Sequence, residues 1–304
     1  MFLAVFPLWG QTPGFYAAPP RLVFGAGEAR KAAEAWEKAG VPAEGDPEPL
    51  AVSGVRLRGK DTRASMVLFW SHFANVRADW VQPVNGASAI AEAVKSRGGG
   101  LFAVQYRAPS REALELETLR LQALGVQLLE QGAIEFDDNY KVSYAYFDTV
   151  AAGGVALGLY FDPEPESEAV RGKLEVAQVM VTVPDPAAAA AYWRRIGFAT
   201  GTPWAPLAFL PNGAAPALVF EPQDLDDAVS QWSRWGFAQT GSGSSGQAGG
   251  QTASPGYERY SVHANSASPV PARLRWRWHA PAVLAAAIPL QFTFPAGQAA
   301  PEFR

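Results

Sequence analysis

Two charged residues, Arg77 and Asp79, have a spacing that can support chemistry. They lie two residues apart on a strand predicted at 76–82, so their side chains share one face of that strand. A carboxylate beside a guanidinium can act as a general base, while the guanidinium can bind a carboxylate or stabilise an enolate. A simple ion pair at a strand end would give the same spacing, and the sequence leaves both interpretations open.

Two further predicted strands, at 101–107 and 155–161, carry polar residues in the same alternation. If these faces turn toward one interior, they add an amide, a second guanidinium and a phenol to the charged pair. The side chains that we expect to bind substrate are Arg77, Gln105, Arg107 and Tyr160.

The only histidine between residues 1 and 161 is His72, on a strand predicted at 65–73. Histidine is the side chain best suited to proton transfer near neutral pH, so His72 is a candidate base together with Asp79. Trp70 shares its face of the strand and is predicted to contact the substrate. An ordinary hydrogen-bonded histidine at a strand end is the alternative interpretation.

Tyr144 and Tyr146 share one face of the strand predicted at 140–147. A phenol there can donate a proton or a hydrogen bond to a ligand, which makes Tyr146 the third candidate catalytic residue. Packing in the core would explain the same pattern. The 10 tryptophans and 17 phenylalanines exceed what a core needs, and they favour an aromatic-lined cavity for a small hydrophobic or aromatic molecule.

Composition limits the classes of function. A chain of 304 residues predicts about two domains at roughly 150 residues each. The net charge of −4 argues against a nucleic-acid partner, since binding to phosphates requires an excess of cations. The absence of cysteine excludes disulfides, thiolate catalysis and cysteine-ligated metals.

The apolar N-terminus has no basic residue ahead of it, so 2–6 is predicted to be a strand rather than a secretory signal. The apolar run at 282–288 is too short to span a bilayer. We therefore expect a soluble, cytoplasmic protein without a membrane partner. A homodimer is a further expectation.

Residues 21–161 contain the order strand, helix and three strands twice in tandem, which indicates an internal repeat. A proline-rich loop is expected at 42–49. The first copy has strands at 21–24, 50–58, 65–73 and 76–82 and a helix at 28–39; the second has strands at 101–107, 126–129, 140–147 and 155–161 and a helix at 111–124.

The pattern starts again after an acidic, proline-bearing segment at 162–173, which is predicted to be a linker. Arg275 and Arg277 alternate with tryptophans, so they either bind an anion or face solvent. The remaining predicted elements are strands at 176–183, 216–220, 274–278 and 290–294, helices at 187–195 and 224–235, and a mobile loop at 241–256.

The segment from 77 to 160 resembles the second half of a vicinal-oxygen-chelate domain, of the methylmalonyl-CoA epimerase and glyoxalase branch. The resemblance rests on DWVQP at 79–83, RGGG at 97–100 and GGVALGL at 153–159, in that order. It implies an α+β fold in which tandem βαβββ modules form cup-shaped sheets. Two such domains are expected, at 1–161 and, more divergent, at 174–304.

In metal-dependent relatives, four side chains of this cup hold a divalent cation, so the resemblance also says which positions would do so here. Those positions carry Asp79, Ala103, Gly158 and, in a weaker alignment, Arg21. One carboxylate beside an arginine does not hold a divalent cation. We therefore expect that the metal ligands are lost, that no cofactor is bound, and that Ala103 and Gly158 leave space.

Three hypotheses follow. The first is a metal-independent isomerase, epimerase, lyase or decarboxylase that acts by proton transfer on a hydrophobic or aromatic carbonyl or carboxylate compound. The second is a non-catalytic binding protein of the bleomycin-resistance type. The third is a metal-dependent glyoxalase or dioxygenase with a rearranged site that includes Gln178, His263 or His279.

Overall fold

The structure is a computed structural model. The strand predicted at 2–6, the helix predicted at 224–235 and His263 lie outside the residues that it describes. The described residues are 12–38, 40–137, 139–165, 170–172 and 175–198, followed by five strands whose bounds are given below.

A nine-stranded mixed sheet occupies the first half of the described chain. Its strands are β1 (Arg21–Gly25), β2 (Ala43–Leu57), β3 (Lys60–Asp61), β4 (Ala64–His72), β5 (Arg77–Gly86), β6 (Gly100–Arg107), β7 (Leu128–Glu135), β8 (Lys141–Phe147) and β9 (Ala156–Phe161). Their order is β3-β2-β4-β5-β1-β6-β9-β8-β7, and a further pairing of β2 with β7 closes the sheet. Without the short β3, eight strands therefore form a closed, barrel-like cup.

Short helices lie between the strands of the described chain. They are a 3₁₀ turn (Gly14–Ala17), α1 (Ala29–Lys38), α2 (Ala89–Arg97), α3 (Arg111–Ala123), α4 (Val150–Gly153) and α5 (Pro186–Arg195). Ser88 and Ser110 cap α2 and α3, since each hydroxyl accepts a backbone N–H three residues later. The order β-α-β-β-β is thus present twice, and the predicted α+β fold is confirmed.

Two predicted element boundaries are wrong. The expected loop at 42–49 belongs to β2, which pairs with β4 from Ala43 onward. Its prolines at 47 and 49 fall where the register shifts between Asp46 and Leu50, so their missing N–H groups remove no ladder bond. The strand predicted at 126–129 is β7, which begins at Leu128 because Val126 still closes the end of α3 through a hydrogen bond to the Leu121 carbonyl.

Buried side chains form two clusters. In the cluster that includes residues of α1, α3 and α5, Trp36 of α1 lies against Trp80, and Trp80 stacks on Phe24 with ring centroids 4.7 Å apart. The second cluster contains the opposite faces of the same strands, including Met66 and Tyr144. Because side chains alternate along each strand, the sheet has a packed helical face and a separate interior.

A second sheet follows, of which six strands are described. They are β10 (Glu175–Val183), β11 (Leu207–Pro211), β12 (Ala217–Glu221), β13 (Ala238–Ser244), β14 (Leu274–His279) and β15 (Leu290–Thr293). Their order is β11-β10-β12-β15-β14-β13. The loop predicted at 241–256 is wrong for its first four residues, which complete β13 and pair with β14. A domain boundary at 162–173 stays a prediction.

Several contacts join the two sheets. The Asn75 side chain hydrogen-bonds both backbone groups of Val176, at 3.0 and 2.9 Å, as a neighbouring strand would. The Trp193 indole donates to the Gly153 carbonyl at 3.0 Å. Within the described ranges, no helix has the length and apolar character needed to cross a bilayer.

Candidate functional site

The interior of the barrel contains a cavity of about 230 Å³. An eight-stranded barrel leaves room for interior side chains or one small ligand, and this volume agrees with that limit. Much of the wall is apolar, formed by Met66, Leu68, Val81, Ile90, Ile134 and Val142.

Six polar side chains of the cavity wall lie in one row of residues that are paired across neighbouring strands. We call this row the polar belt. From β4 to β7, each residue of the row is paired with the next on the adjacent strand, and Gly158 of β9 fills the single gap. All six line the cavity. The polar belt consists of His72, Arg77, Arg21, Gln105, Tyr146 and Glu130.

Most residues that the sequence analysis assigned to the site are brought together here. Strand alternation explains this, because each lies on the interior face of its strand. Their roles in binding or catalysis stay predictions. The assigned residues that line the cavity are Asp79, His72, Tyr146, Arg77, Gln105, Tyr160 and Trp70.

Arg107 departs from the prediction. It is the last residue of β6, and its guanidinium donates to the backbone carbonyls of Asp162, at 3.0 Å, and Glu164 instead of lining the cavity. Alternation places it on the interior side, but its long side chain reaches past the strand end to the following segment. Arg107 therefore holds in place the backbone of the segment that follows β9.

The segment predicted as a linker, 162–173, contributes to the cavity wall. The Asp162 carboxylate accepts a hydrogen bond from the Tyr140 hydroxyl at 3.0 Å and lies 3.8 Å from the Arg21 guanidinium. That guanidinium also stacks over the Tyr160 ring, 3.7 Å from its centroid. Arg171 lines the cavity from the same segment. That side of the cavity therefore contains both guanidinium groups and carboxylates, the latter from Glu44, Asp79, Asp162 and Glu164.

The Arg77–Asp79 pair is an ion pair. Arg77 Nε donates to Asp79 Oδ1 at 2.5 Å, and the guanidinium lies 4.6 Å from the Trp70 ring centroid. Asp79 is buried, so removing either partner would leave a charge without compensation in a dry site. This geometry favours Asp79 as the group that orients Arg77.

His72 is 7% exposed, and its Nε2 has no hydrogen-bond partner among the described residues. Burial lowers the pKa of this imidazole, and the neighbouring positive charge of Arg77 lowers it further. The neutral form, which can accept a proton, is therefore favoured near neutral pH. A buried nitrogen without a protein partner is uncommon in folded proteins, and in the neutral imidazole it can accept a hydrogen bond or a proton from a ligand.

The space expected beside Gly158 is filled, so that prediction is wrong. A Cβ at this position would lie 2.8 Å from Gln105 Cγ and 3.0 Å from Tyr146 Cε1. The Gln105 side chain also hydrogen-bonds Tyr146, whose pKa is raised by burial. Glycine is favoured here because two members of the polar belt pack over its backbone and would have to shift for a Cβ.

Glu130 was missed by the sequence analysis. It is 2% exposed, and its two oxygens accept hydrogen bonds from the Tyr144 hydroxyl, at 2.6 Å, and the Ala89 N–H, at 2.5 Å. Burial raises the pKa of its carboxyl group. The strand predicted at 126–129 ends before Glu130, so no strand face was assigned to this residue; in the structure it lies within β7, where the register shifts between Leu128 and Glu130.

The four positions at which the family resemblance implies a metal do not fit a divalent cation. Arg21 is a cation, Ala103 has no donor, and the place of a side chain at Gly158 is occupied by its neighbours. Only Asp79 offers an oxygen. No group of three or more histidine, cysteine, aspartate or glutamate side chains in the described ranges could hold a metal ion. The side chain of Gln178 and the residue His263 lie outside the description.

No protein-family profile and no curated protein matches this sequence. Three solved structures are similar over most of their length. A mutant of 4-hydroxymandelate synthase from Streptomyces coelicolor has a TM-score of 0.52 at 12% identity, over 90% of this chain and 92% of that one.

The Mn(II)-bound glyoxalase from Novosphingobium aromaticivorans has a TM-score of 0.51 at 9% identity, over 90% of this chain and 80% of that one. The halotolerant catechol dioxygenase BphC has a TM-score of 0.50 at 10% identity, over 92% and 87%. At such identities the comparison concerns the fold alone. The chain thus has the α+β fold of the vicinal-oxygen-chelate enzymes to which these structures belong.

Proposed function

We propose that the protein is a metal-independent enzyme that moves a proton on a small, hydrophobic or aromatic carbonyl or carboxylate compound. The reaction is an isomerisation, epimerisation, lyase or decarboxylation step through an enolate-like intermediate. The observation that carries the proposal is His72, a buried imidazole with an unpartnered nitrogen at the wall of the cavity. It lies next to Arg77 in the polar belt.

His72 has the properties of a base. Its lowered pKa keeps it neutral near pH 7, and the neutral imidazole can accept a proton. Arg77 and Arg21 then supply positive charge where an enolate or carboxylate oxygen would develop. Asp79 holds Arg77 in place, and Tyr146, supported by Gln105, supplies a hydrogen-bond donor.

The size of the cavity supports a small substrate. A cavity of about 150 Å³ holds benzene, and drug-sized ligands need about 300–1,000 Å³. At about 230 Å³, the barrel interior matches one ring with a short acidic substituent. A large conjugate would not fit wholly inside.

Hydrogen–deuterium exchange at carbon tests the proposal directly. The full chain is treated with EDTA and incubated in D₂O with mandelate, phenylpyruvate or phenylacetate, and deuterium at the carbon next to the carboxyl or carbonyl group is followed by NMR. We expect exchange in at least one compound that binds, at the same rate before and after chelation.

The other outcomes separate the alternatives. Binding without exchange after prolonged incubation would overturn the enzymatic proposal in favour of a sequestering protein. Exchange that appears only after a divalent metal is added would restore the metal-dependent hypothesis. Heat-denatured protein is the control for exchange catalysed by the buffer.

A further inference from the structure

The two ends of the barrel are covered in different ways. One end lies where β5 stops and β6 begins, and α2 connects the two strands there. Ala89 and Ile90 of α2 are buried, and Ile90 lines the cavity. Glu130 accepts the Ala89 N–H at 2.5 Å, which ties the start of this helix to the barrel. Apolar packing and a buried hydrogen bond therefore close this end.

The other end, where β9 stops, is covered by irregular chain. The chain leaves β9 after Phe161, and the N–H of Gly172 donates to the His72 carbonyl at the end of β4, at 2.8 Å. β9 and β4 are four strands apart in either direction around the ring of eight. Residues 162–165 lie over this end of the barrel, and we call them the strap. Three of them line the cavity, namely Asp162, Glu164 and Pro165.

Polar side chains of the barrel hold the strap. The Arg107 guanidinium donates to the carbonyls of Asp162, at 3.0 Å, and Glu164. The Asp162 carboxylate accepts a hydrogen bond from the Tyr140 hydroxyl at 3.0 Å and lies 3.8 Å from the Arg21 guanidinium. Residues 163–165 are exposed to solvent, and none of the four strap residues belongs to a buried apolar cluster. The strap is therefore held by polar contacts and not by packing.

This difference decides which end opens more easily. Local opening costs least where few apolar groups are buried and where the hydrogen bonds lie near water. Opening the α2 end would expose Ala89 and Ile90 to water and leave the buried Glu130 carboxyl group without its backbone donor. The side wall offers no route, because the pairing of β2 with β7 closes the ring of hydrogen-bonded strands.

We infer that small molecules enter and leave the cavity at the strap end, by displacement of residues 162–165 from the groups that hold them. Arg107 and Tyr140 then act as a latch on the strap. His72, Arg77 and Arg21 each lie at this end of their strands, so an entering molecule meets them first. The inference goes beyond the proposed function, since a sequestering protein would need the same route.

Thiol labelling tests this route, because the chain has no cysteine of its own. Val23→Cys places one thiol on the cavity wall, and Val104→Cys places one in the cluster on the helical face of the sheet. Both valines are 1% exposed, so the two thiols are matched in burial. The rate of modification by methyl methanethiosulfonate is measured in the full chain, and urea unfolding gives the global stability of each variant.

Release of the latch should accelerate labelling in the cavity alone. Combined with Val23→Cys, Arg107→Gln should raise the labelling rate about 10–100-fold, because the strap loses hydrogen bonds from a charged donor. Tyr140→Phe removes one hydrogen bond to the Asp162 carboxylate and should raise the rate about tenfold. The Val104→Cys thiol should react at the same rate with and without either substitution. Val81→Cys, on the same cavity wall, replaces Val23→Cys if that variant does not fold.

Loosening the opposite end provides the control. Ser88→Ala removes the cap of α2 and should leave the labelling rate of Val23→Cys within about twofold. Faster labelling in Ser88→Ala than in the two latch variants would move the entrance to the α2 end. Equal acceleration of Val23→Cys and Val104→Cys would indicate global unfolding, and unchanged rates in the latch variants would show that the strap does not limit access. Each of these three results would overturn the inference and leave the proposed chemistry untouched.

Discussion

The six described strands of the second sheet follow the same order as six strands of the first, β5-β1-β6-β9-β8-β7, but the two sheets differ in the residues that cross them. In each, a first strand pairs in parallel with one neighbour and antiparallel with another, β1 with β5 and β6, β10 with β11 and β12. In the first sheet, the row that contains the first paired residues of the parallel strands β1 and β5 is the polar belt. The row through the first parallel pair of the second sheet is apolar except for its last residue, and consists of Leu207, Val179, Leu218, Leu290, Trp278 and Gln239.

This difference separates architecture from chemistry. An identical order of strands gives one row that carries an imidazole, two guanidiniums and a carboxyl group, and another row without a single titratable side chain. The first sheet also has β2 and β4, which close it around the cavity. The order of six strands in the first sheet thus recurs in the described strands of the second, while the polar row that lines a cavity is present in the first.

Histidine substitutions give the largest expected contrast between the two sheets. His72→Gln should reduce deuterium exchange by at least about 100-fold, because general base catalysis typically contributes 10²–10⁴-fold. Binding of the same compound should change less than about threefold. The matched control is His279→Gln on β14, which should exchange at the wild-type rate. Loss of exchange in the control alone would move the site to the second half.

Arginine substitutions should change affinity. Arg77→Gln removes a charged donor from the polar belt, and the dissociation constant for phenylacetate should rise about 10–100-fold, since hydrogen bonds to charged groups contribute about 1.5–3 kcal/mol. Calorimetry measures this, with Arg277→Gln on β14 as the control. Equal weakening by both substitutions would contradict the assignment of the anion site to the first barrel.

A methyl group added at Gly158 should loosen the polar belt. Gly158→Ala places a Cβ against Gln105 and Tyr146, and we expect the free energy of unfolding to fall by about 1–3 kcal/mol. Urea unfolding measures this. Gly27→Ala is the control, because a Cβ at Gly27 meets nothing within 4 Å. Unchanged stability in Gly158→Ala would mean that the polar belt can accommodate a side chain at position 158.

Two members of the polar belt should make stability depend on pH in opposite directions, and these effects should be smaller than those above. The folded-state pKa of His72 is lowered, so the unfolded chain binds more protons and stability falls as pH drops below about 6.5. The folded-state pKa of Glu130 is raised, so stability falls as pH rises above about 4.5. His72→Gln and Glu130→Gln should each remove the pH dependence that the replaced residue gives to the free energy of unfolding. That slope is at most about 1.4 kcal/mol per pH unit.

Urea unfolding from pH 4 to 8 provides this measurement. The difference between each variant and the wild type should depend on pH in opposite directions. A difference that is constant with pH would show that the residue titrates alike in the folded and unfolded chain.

Local patterns were sufficient for most of the site. Alternation on single strands placed Arg77 with Asp79 and His72 with Trp70, because the period of a strand depends only on neighbouring residues. The same rule gave the interior face of Tyr146. The doubled β-α-β-β-β order followed from helix and turn signals of comparable range.

What could not be predicted depends on contacts between distant residues. Glu130 lies beyond the end of the strand predicted at 126–129, because β7 continues to Glu135 through its pairing with β8. The Arg107 side chain is held by carbonyl groups 55 and 57 positions away. The polar belt exists only through the register of seven strands, which no single strand encodes. The filled space at Gly158 likewise depends on side chains from two other strands.

The pairing of β2 with β7 also limits how this protein can evolve or be engineered. A ring of eight strands at a spacing of about 4.8 Å has a fixed bore, whatever the sequence of its loops. Grafted or lengthened loops would leave that bore unchanged. Selection for bulkier substrates would therefore replace inward side chains such as Tyr144 or Met66 by smaller ones. Each replacement would enlarge the cavity and lower the stability of the barrel.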